Sequence, residues 1–163
     1  MIETYRLILR PFTEQDISFS QAFMLPEFMV NSPQGAYAEE AAKNRIIELS
    51  EGYRKSGFGK LAVIEKESNS IIGYCGLEPC VIEGKSEIEL GYRLLTAFRG
   101  KGYATEAALA LIEFEAKKGN SNIIAFTECE NFPSVRVLVK LGFSELGISV
   151  YSGMKVRLFR KIM

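Results

Sequence analysis

The chain has 163 residues, 47% of them hydrophobic and 25% charged, a length and balance ordinary for a single domain over residues 1–163 that folds without a disulfide or a metal. Its 20 basic and 20 acidic side chains cancel, which gives no support for a nucleic-acid or anionic-membrane surface. Histidine is absent, so Ser-His-Asp and Cys-His nucleophile pairs and histidine-containing zinc sites are excluded, and three cysteines without a CxxC pair are too few for a four-thiolate cage.

In chain order, Tyr5–Arg10 alternates as a first strand and stops at Pro11. Thr13 followed by Asp16 reads as a helix start, with helix expected to about Leu25. Ala38, Ala42, Ile46, Leu49 and Tyr53 recur at helical spacing and predict a long second helix ending before Ser56-Gly57. Three strands follow: Lys60–Glu65, Ile71 to about Val81, and Glu87–Leu94. Their turns fall at Ser68-Asn69-Ser70 and Glu83-Gly84-Lys85, and Gly73 and Gly76 mark bulges or close packing. In the third, Ile88, Leu90, Tyr92 and Leu94 share one face, while Glu87, Glu89, Gly91 and Arg93 share the other. A helix over Lys101–Lys118 buries its alanines and stops at Gly119. A short strand Ile123–Thr127, a short helix Val135–Leu141, and a closing hairpin of Phe143–Gly147 and Ile148–Arg160 complete the chain. The order β-α-α-β-β-β-α-β-α-β-β predicts a mixed α/β (α+β) sheet of about seven strands flanked by about four helices on both faces. The strand-helix-strand unit around Lys101 is expected to cross over right-handed.

The stretch Tyr92–Ala107 carries the chemistry. A strand runs into Gly100 and Gly102, where the absence of a Cβ lets backbone approach a ligand, and then straight into a helix. The helix start offers unpaired N–H groups and partial positive charge, and Arg99 and Lys101 add full charges, so the segment suits a phosphate or pyrophosphate. It is not a Walker loop, which needs Gly-Lys-Ser/Thr, nor a dinucleotide fingerprint, since Thr105 stands at the third glycine. Left open are a plain strand-to-helix turn with two solvated cations and a loop for some other anion.

Arg99-x-x-Gly102-x-Ala104 resembles the pyrophosphate loop of the GNAT superfamily of N-acetyltransferases. Thr4–Pro11 with Asp16, Ile72–Leu77, Glu89-Leu90-Gly91-Tyr92 with Arg99–Ala107, and Asn131-Phe132-Pro133-Ser134 with Val137–Phe143 are similar to motifs of its RimJ/RimL-type branch, so the resemblance covers nearly the whole chain. It implies the GNAT fold, with the sheet splayed between the strand ending near Leu94 and that at Ile123–Thr127. It implies acetyl transfer from acetyl-CoA to a primary amine, a protein N-terminal α-amine or a small molecule, by direct attack in a ternary complex. Pantetheine would lie along backbone from Tyr92 through Arg93 to Leu94, the pyrophosphate on Arg99, Gly100, Lys101, Gly102, Tyr103, Ala104 and Thr105, and the arm against Asn131 and Ser134. The alternative is a non-catalytic acyl-CoA sensor with the same fold.

Without histidine, a carboxylate is the best base for the amine, and Glu89 is the position singled out. Its bland counterpart is a solvated strand carboxylate beside Glu87 and Arg93. Ser134 is the second catalytic candidate, at the place the resemblance assigns to a contact with the CoA sulfur; it and Asn131 also suit a helix N-terminus. Leu138 stands where many GNAT enzymes carry a tyrosine acid, which makes Ser134 the stand-in and Tyr151 a weaker candidate. Cys129 reads as a half-buried core residue. The cluster Phe19, Phe23, Met24, Phe28 and Met29 reads as core that, by the resemblance, also walls the acceptor site. No metal, nucleic acid or membrane is expected as a partner. The assembly is a monomer or homodimer. The odd cysteine count and an N-terminus, Met1-Ile2-Glu3-Thr4, without signal-peptide character suggest a cytoplasmic setting.

Overall fold

The computed structural model covers residues Met1–Met163. Its elements are β1 (Ile2–Glu3), β2 (Leu7–Pro11), a 3₁₀ helix (Glu14–Phe19) running into α1 (Ser20–Phe23), α2 (Glu39–Ser56), β3 (Lys60–Glu65), β4 (Ser70–Ile82) and β5 (Lys85–Leu94). A 3₁₀ turn (Thr96–Phe98) then leads to α3 (Tyr103–Lys117), β6 (Asn122–Glu128), α4 (Phe132–Lys140), β7 (Ser144–Tyr151) and β8 (Met154–Ile162). The eight strands form one sheet in the order β1-β2-β3-β4-β5-β6-β8-β7. Every neighbouring pair is antiparallel except β5 and β6.

Strand alternation sorts the core onto two faces. Leu61 and Val63 of β3 join Ile72, Leu77 and Leu90 against Ala107, Ala108 and Leu111 of α3. Ala62 and Ile64, one residue out of phase, meet Phe12, Phe23 and Phe28 and the buried stripe Ala42, Ile46 and Leu49 of α2. The small residues of α3 let it lie close on the sheet.

Four details differ from the sequence reading. The sheet has an eighth strand because Ile2 and Glu3 pair with Leu9 and Ile8, a ladder too short to show alternation. The first helix is mostly 3₁₀ and ends at Phe23, where Asp16 instead of a long α-helix organises the segment: its carboxylate takes two hydrogen bonds from Arg10, at 2.8 and 2.9 Å, and one from the Thr13 N–H at 2.8 Å. The closing hairpin turns at Ser152-Gly153, both with positive φ, while Gly147 sits inside β7 next to a bulge at Leu146 that shifts the register between Glu145 and Gly147. The third helix begins at Tyr103, leaving Lys101 in the preceding turn.

The feature that positions a site is the one parallel seam. β5 and β6 pair only at Glu89↔Ile124, whereas β4 and β5 are paired from Ile82↔Lys85 to Gly73↔Leu94. Beyond Glu89 the two central strands part.

Candidate active site

Where β5 and β6 separate lies a cavity of about 670 Å³. It takes in every catalytic and cofactor-binding candidate named from sequence except one: Glu89, Tyr92, Arg93, Leu94, Arg99, Gly100, Gly102, Tyr103, Ala104, Thr105, Asn131 and Ser134. Lys101 stays outside, with its ammonium 5.6 Å from the centre of the Phe98 ring.

The turn at the head of α3 is held in shape from below. Gly102 is the N-terminal cap residue of α3 at φ +83, and Gly100 also takes a left-handed conformation. Arg6 Nη1 donates to the Lys101 carbonyl at 2.9 Å, and Arg6 Nε donates to Glu106 at 2.7 Å. Glu106 also accepts from the Thr4 hydroxyl at 2.6 Å and the Arg6 N–H at 2.9 Å. The turn between β1 and β2 therefore staples the helix start. Tyr103 points its hydroxyl into the Glu65 carboxylate.

Two arginines reach across the cavity to the segment after α1. Arg93 donates to the carbonyls of Phe28, at 2.9 Å, and Val30, and to the Tyr74 hydroxyl at 3.1 Å. Arg99 donates to the Leu94 carbonyl at 3.0 Å and the Glu27 carbonyl at 2.9 Å. Neither meets a carboxylate in these bonds. Burial and the nearby Arg93 charge lower the pKa of Arg99, and the Glu27 carboxylate only partly offsets them.

Residue parity on β5 divides the chemistry between the sheet faces. Tyr92 lies with Ile88, Leu90 and Leu94 on the α3–α4 side. Its hydroxyl is 2.8 Å from Ser134 Oγ in a hydrogen bond, and burial pushes the phenol pKa up to about 12. Ser134 sits in the first turn of α4, where its N–H donates to the Asn131 side chain at 3.4 Å. Leu138, one turn on, is 1% exposed and also lines the cavity. A phenol thus enters the space beside Leu138 from the strand, a contact spanning 42 residues that no local pattern announces.

Glu89 is on the other face. It is half-buried in the cavity wall, where desolvation raises its pKa and Lys60 partly counters that rise. Glu87 instead is engaged with Arg160 at 2.7 Å. Around Glu89 the structure gathers residues that sequence reasoning missed. Lys60 is 5% exposed and lies 3.6 Å from Glu78 Oε2. Arg45 of α2 binds the other Glu78 oxygen at 3.3 Å, and Glu78 pairs in register with Glu89. The one local signal was a lysine opening a strand whose next four residues are apolar. Tyr151 lines the cavity on its far side, its ring 4.3 Å from that of Phe126. Cys129 lies outside the cavity lining, with Sγ 3.8 Å from the Lys155 carbonyl. Of the aromatic cluster expected to wall an acceptor site, Phe23, Phe28 and Met29 are buried core, Met24 is exposed, and none lines this cavity.

Residues 6–144 match the family model described as acetyltransferase (GNAT) domain. The chain is 31% identical over 148 residues to the uncharacterized N-acetyltransferase YnaD of Bacillus subtilis, covering 90% of this chain and 84% of that protein. The fold superposes on a GNAT-family acetyltransferase from Bacillus anthracis with a TM-score of 0.84 at 24% identity, covering 99% of this chain and 97% of the other. It superposes on RimL, the ribosomal L7/L12 α-N-protein acetyltransferase in complex with coenzyme A, with a TM-score of 0.81 at 17% identity, covering 98% and 96%. No helix is long and apolar enough to cross a membrane.

Proposed function

We propose that this chain, which belongs to the GNAT family of acetyltransferases, is a RimJ/RimL-type enzyme that moves the acetyl group of acetyl-CoA onto a primary amine by direct attack in a ternary complex. The observation that carries this reading is the parting of β5 from β6 beyond Glu89↔Ile124, directly beside the N-terminus of α3. The parted edge leaves backbone donors and acceptors of Leu90–Leu94 facing a cavity instead of a strand, which suits the amides of a pantetheine arm. The cavity's size falls in the usual range for small-ligand sites. The left-handed turn at Gly100 and Gly102 and the helix start suit a diphosphate, with Arg99 on the same rim.

Acetyl-CoA supplies an already activated thioester, so much of the acceleration comes from aligning the amine with it. The chain supplies two proton functions. Glu89, buried enough to hold a proton more tightly than an exposed carboxylate, accepts one from the amine directly or through water as the N–C bond forms. Ser134, its hydroxyl paired with that of Tyr92, donates a hydrogen bond to the sulfur as the C–S bond breaks; the thiolate then takes its proton from solvent, to which Glu89 returns the one it accepted.

The test is thiol release from acetyl-CoA by purified protein over a panel of small amines and N-terminal peptides. An enzyme liberates thiol in step with acetylated amine. Tight coenzyme binding with no thiol release from any acceptor would instead mark an acyl-CoA sensor. Equal thermal protection by inorganic phosphate, a nucleotide and acetyl-CoA would mark a generic anion site.

A further inference from the structure

We propose that Lys60 is the positioning residue that keeps Glu89 ionised inside the cavity, and that Gly91 is glycine in order to seat the Lys60 ammonium. The functional weight of this pairing rests on the reading of Glu89 as the base. A Cβ at Gly91 would fall 2.3 Å from Lys60 Nζ and 3.3 Å from Glu89 Oε1, so ammonium and carboxylate flank the space that the missing side chain leaves. The first contact is impossible for a real side chain without moving the ammonium. Lys60 is 5% exposed, and its other carboxylate, Glu78, is shared with Arg45. The result is an alternating row of charges, Arg45–Glu78–Lys60–Glu89, in which the first two contacts are ion pairs and Lys60 faces Glu89 across the space at Gly91 without direct contact.

A buried carboxylate without a counter-charge protonates, and a protonated Glu89 cannot accept a proton from an amine. The charged and titratable groups facing the pair from each packed element leave Lys60 as the main support. From β4 come Glu78, which works against Glu89, and Tyr74, Cys75 and Cys80; from β7 comes Tyr151; from α2 comes Arg45, held on Glu78. Arg93, on the same strand as Glu89, is the second positive charge, and its guanidinium is committed to Tyr74 and the carbonyls of Phe28 and Val30. Both Glu89 and Glu78 reciprocally favour the charged form of Lys60 against its burial. Lys60 is thereby kept an ammonium and remains a poor nucleophile, so it does not compete with the incoming acceptor.

The experiment follows the Glu89 side-chain carboxyl by ¹³C NMR against pH in ligand-free protein, the resonance assigned with Glu89→Gln, and the pH profile of kcat/KM alongside it. In Lys60→Met the Glu89 midpoint rises by at least one pH unit. Gly91→Ala, which keeps every charge and presses only on the ammonium, moves it the same way by less. The acid limb of kcat/KM follows the midpoint upward, while the acetyl-CoA dissociation constant changes less than threefold. A midpoint unmoved in both variants overturns the proposal. If Lys60→Met does not fold, Lys60→Gln and Gly91→Ala decide it by the same criterion. A midpoint that rises while the acid limb stays fixed supports the pairing and overturns the role of Glu89 as base, a role that wild-type turnover in Glu89→Gln overturns by itself, so the two failures are told apart.

Discussion

The substitution Gly102→Val separates the conformation of the turn from its role in binding. Gly102 holds φ +83 at the head of α3, and a Cβ there would lie 3.4 Å from Arg6 Nη2. Space is therefore adequate, and the cost is mainly the left-handed backbone, about 2 kcal/mol for a side chain of L configuration. Against a global stability of about 5–15 kcal/mol the fold survives. At roughly 2–4 °C per kcal/mol for a chain of this size, the melting temperature falls by about 4–8 °C. Binding suffers more. If relief of the strain turns away two N–H groups that serve a diphosphate, at about 1.5–3 kcal/mol for each hydrogen bond to a charged oxygen, affinity for acetyl-CoA drops roughly 10²- to 10⁴-fold. Gly84→Val is the matched control: Gly84 has φ +72 in the β4–β5 turn with open space around it, so it carries the same strain away from the cavity. Calorimetric titration gives the affinities. Melting with acetyl-CoA at ~100 times its wild-type dissociation constant gives a stabilisation of about 2.7 kcal/mol, or roughly 5–10 °C, for wild type and Gly84→Val. Gly102→Val shows little of it. Wild-type affinity in Gly102→Val, or an equal loss in Gly84→Val, would refute the diphosphate assignment.

Tyr92→Phe and Ser134→Ala each lower kcat by about 10- to 100-fold with little change in acetyl-CoA affinity, and the double variant loses no more than the larger single, because the two hydroxyls act as one pair 2.8 Å apart. Additive losses in steady-state kinetics would show that they act separately. Asp16→Asn destabilises the fold by about 1–3 kcal/mol at neutral pH, read by urea unfolding, since it removes the acceptor that holds Arg10 and Thr13. Burial pushes the Asp16 carboxyl up, but the hydrogen bonds from Arg10 and Thr13 outweigh it and leave its pKa below the ordinary value. Its contribution is then complete above the unfolded value of about 3.9 and fades as pH falls through the lower folded value, so the gap between wild type and Asp16→Asn narrows on acidification. A gap that widens in acid contradicts the pairing.

What was legible from sequence was local in nature. The alternation of Ile88, Leu90, Tyr92 and Leu94 against Glu89, Gly91 and Arg93 assigned the faces of β5, and the glycine pair after it announced the helix start. The closing hairpin was misplaced because the segment holds two glycine signals, Gly147 and Ser152-Gly153, and only the long-range pairing with β8 tells a bulge from a turn. Lys60 was hidden for a similar reason. Its meaning depends on Lys60↔Gly76 across β3–β4 and on Glu78↔Glu89 across β4–β5, so three strands must be in register before the charges meet. The Tyr92–Ser134 contact needs α4 docked against a strand 42 residues earlier in the chain.

Register is thus the quantity on which the site depends. Side chains on β5 alternate between faces, so a slip of one residue would exchange the places of Glu89 and Leu90 and carry Tyr92 away from Ser134. The long β4–β5 ladder opposes such a slip, and glycines at close approaches sharpen it. A Cβ at Gly73 would lie 2.1 Å from the Arg93 carbonyl across the β4–β5 ladder, one at Gly76 would lie 2.1 Å from the Gly59 carbonyl and so pins β4 against β3, and one at Gly91 would strike the Lys60 ammonium. Each glycine has to stand opposite its own neighbour, and moving the ladder by one residue brings a side chain into that space. The β5–β6 seam has no such lock beyond Glu89↔Ile124 and is free to part. A rigid antiparallel partner on one side and a broken parallel one on the other let β5 place a carboxylate on one face of the sheet and a hydroxyl pair on the other, both lining the cavity that opens where the strands part.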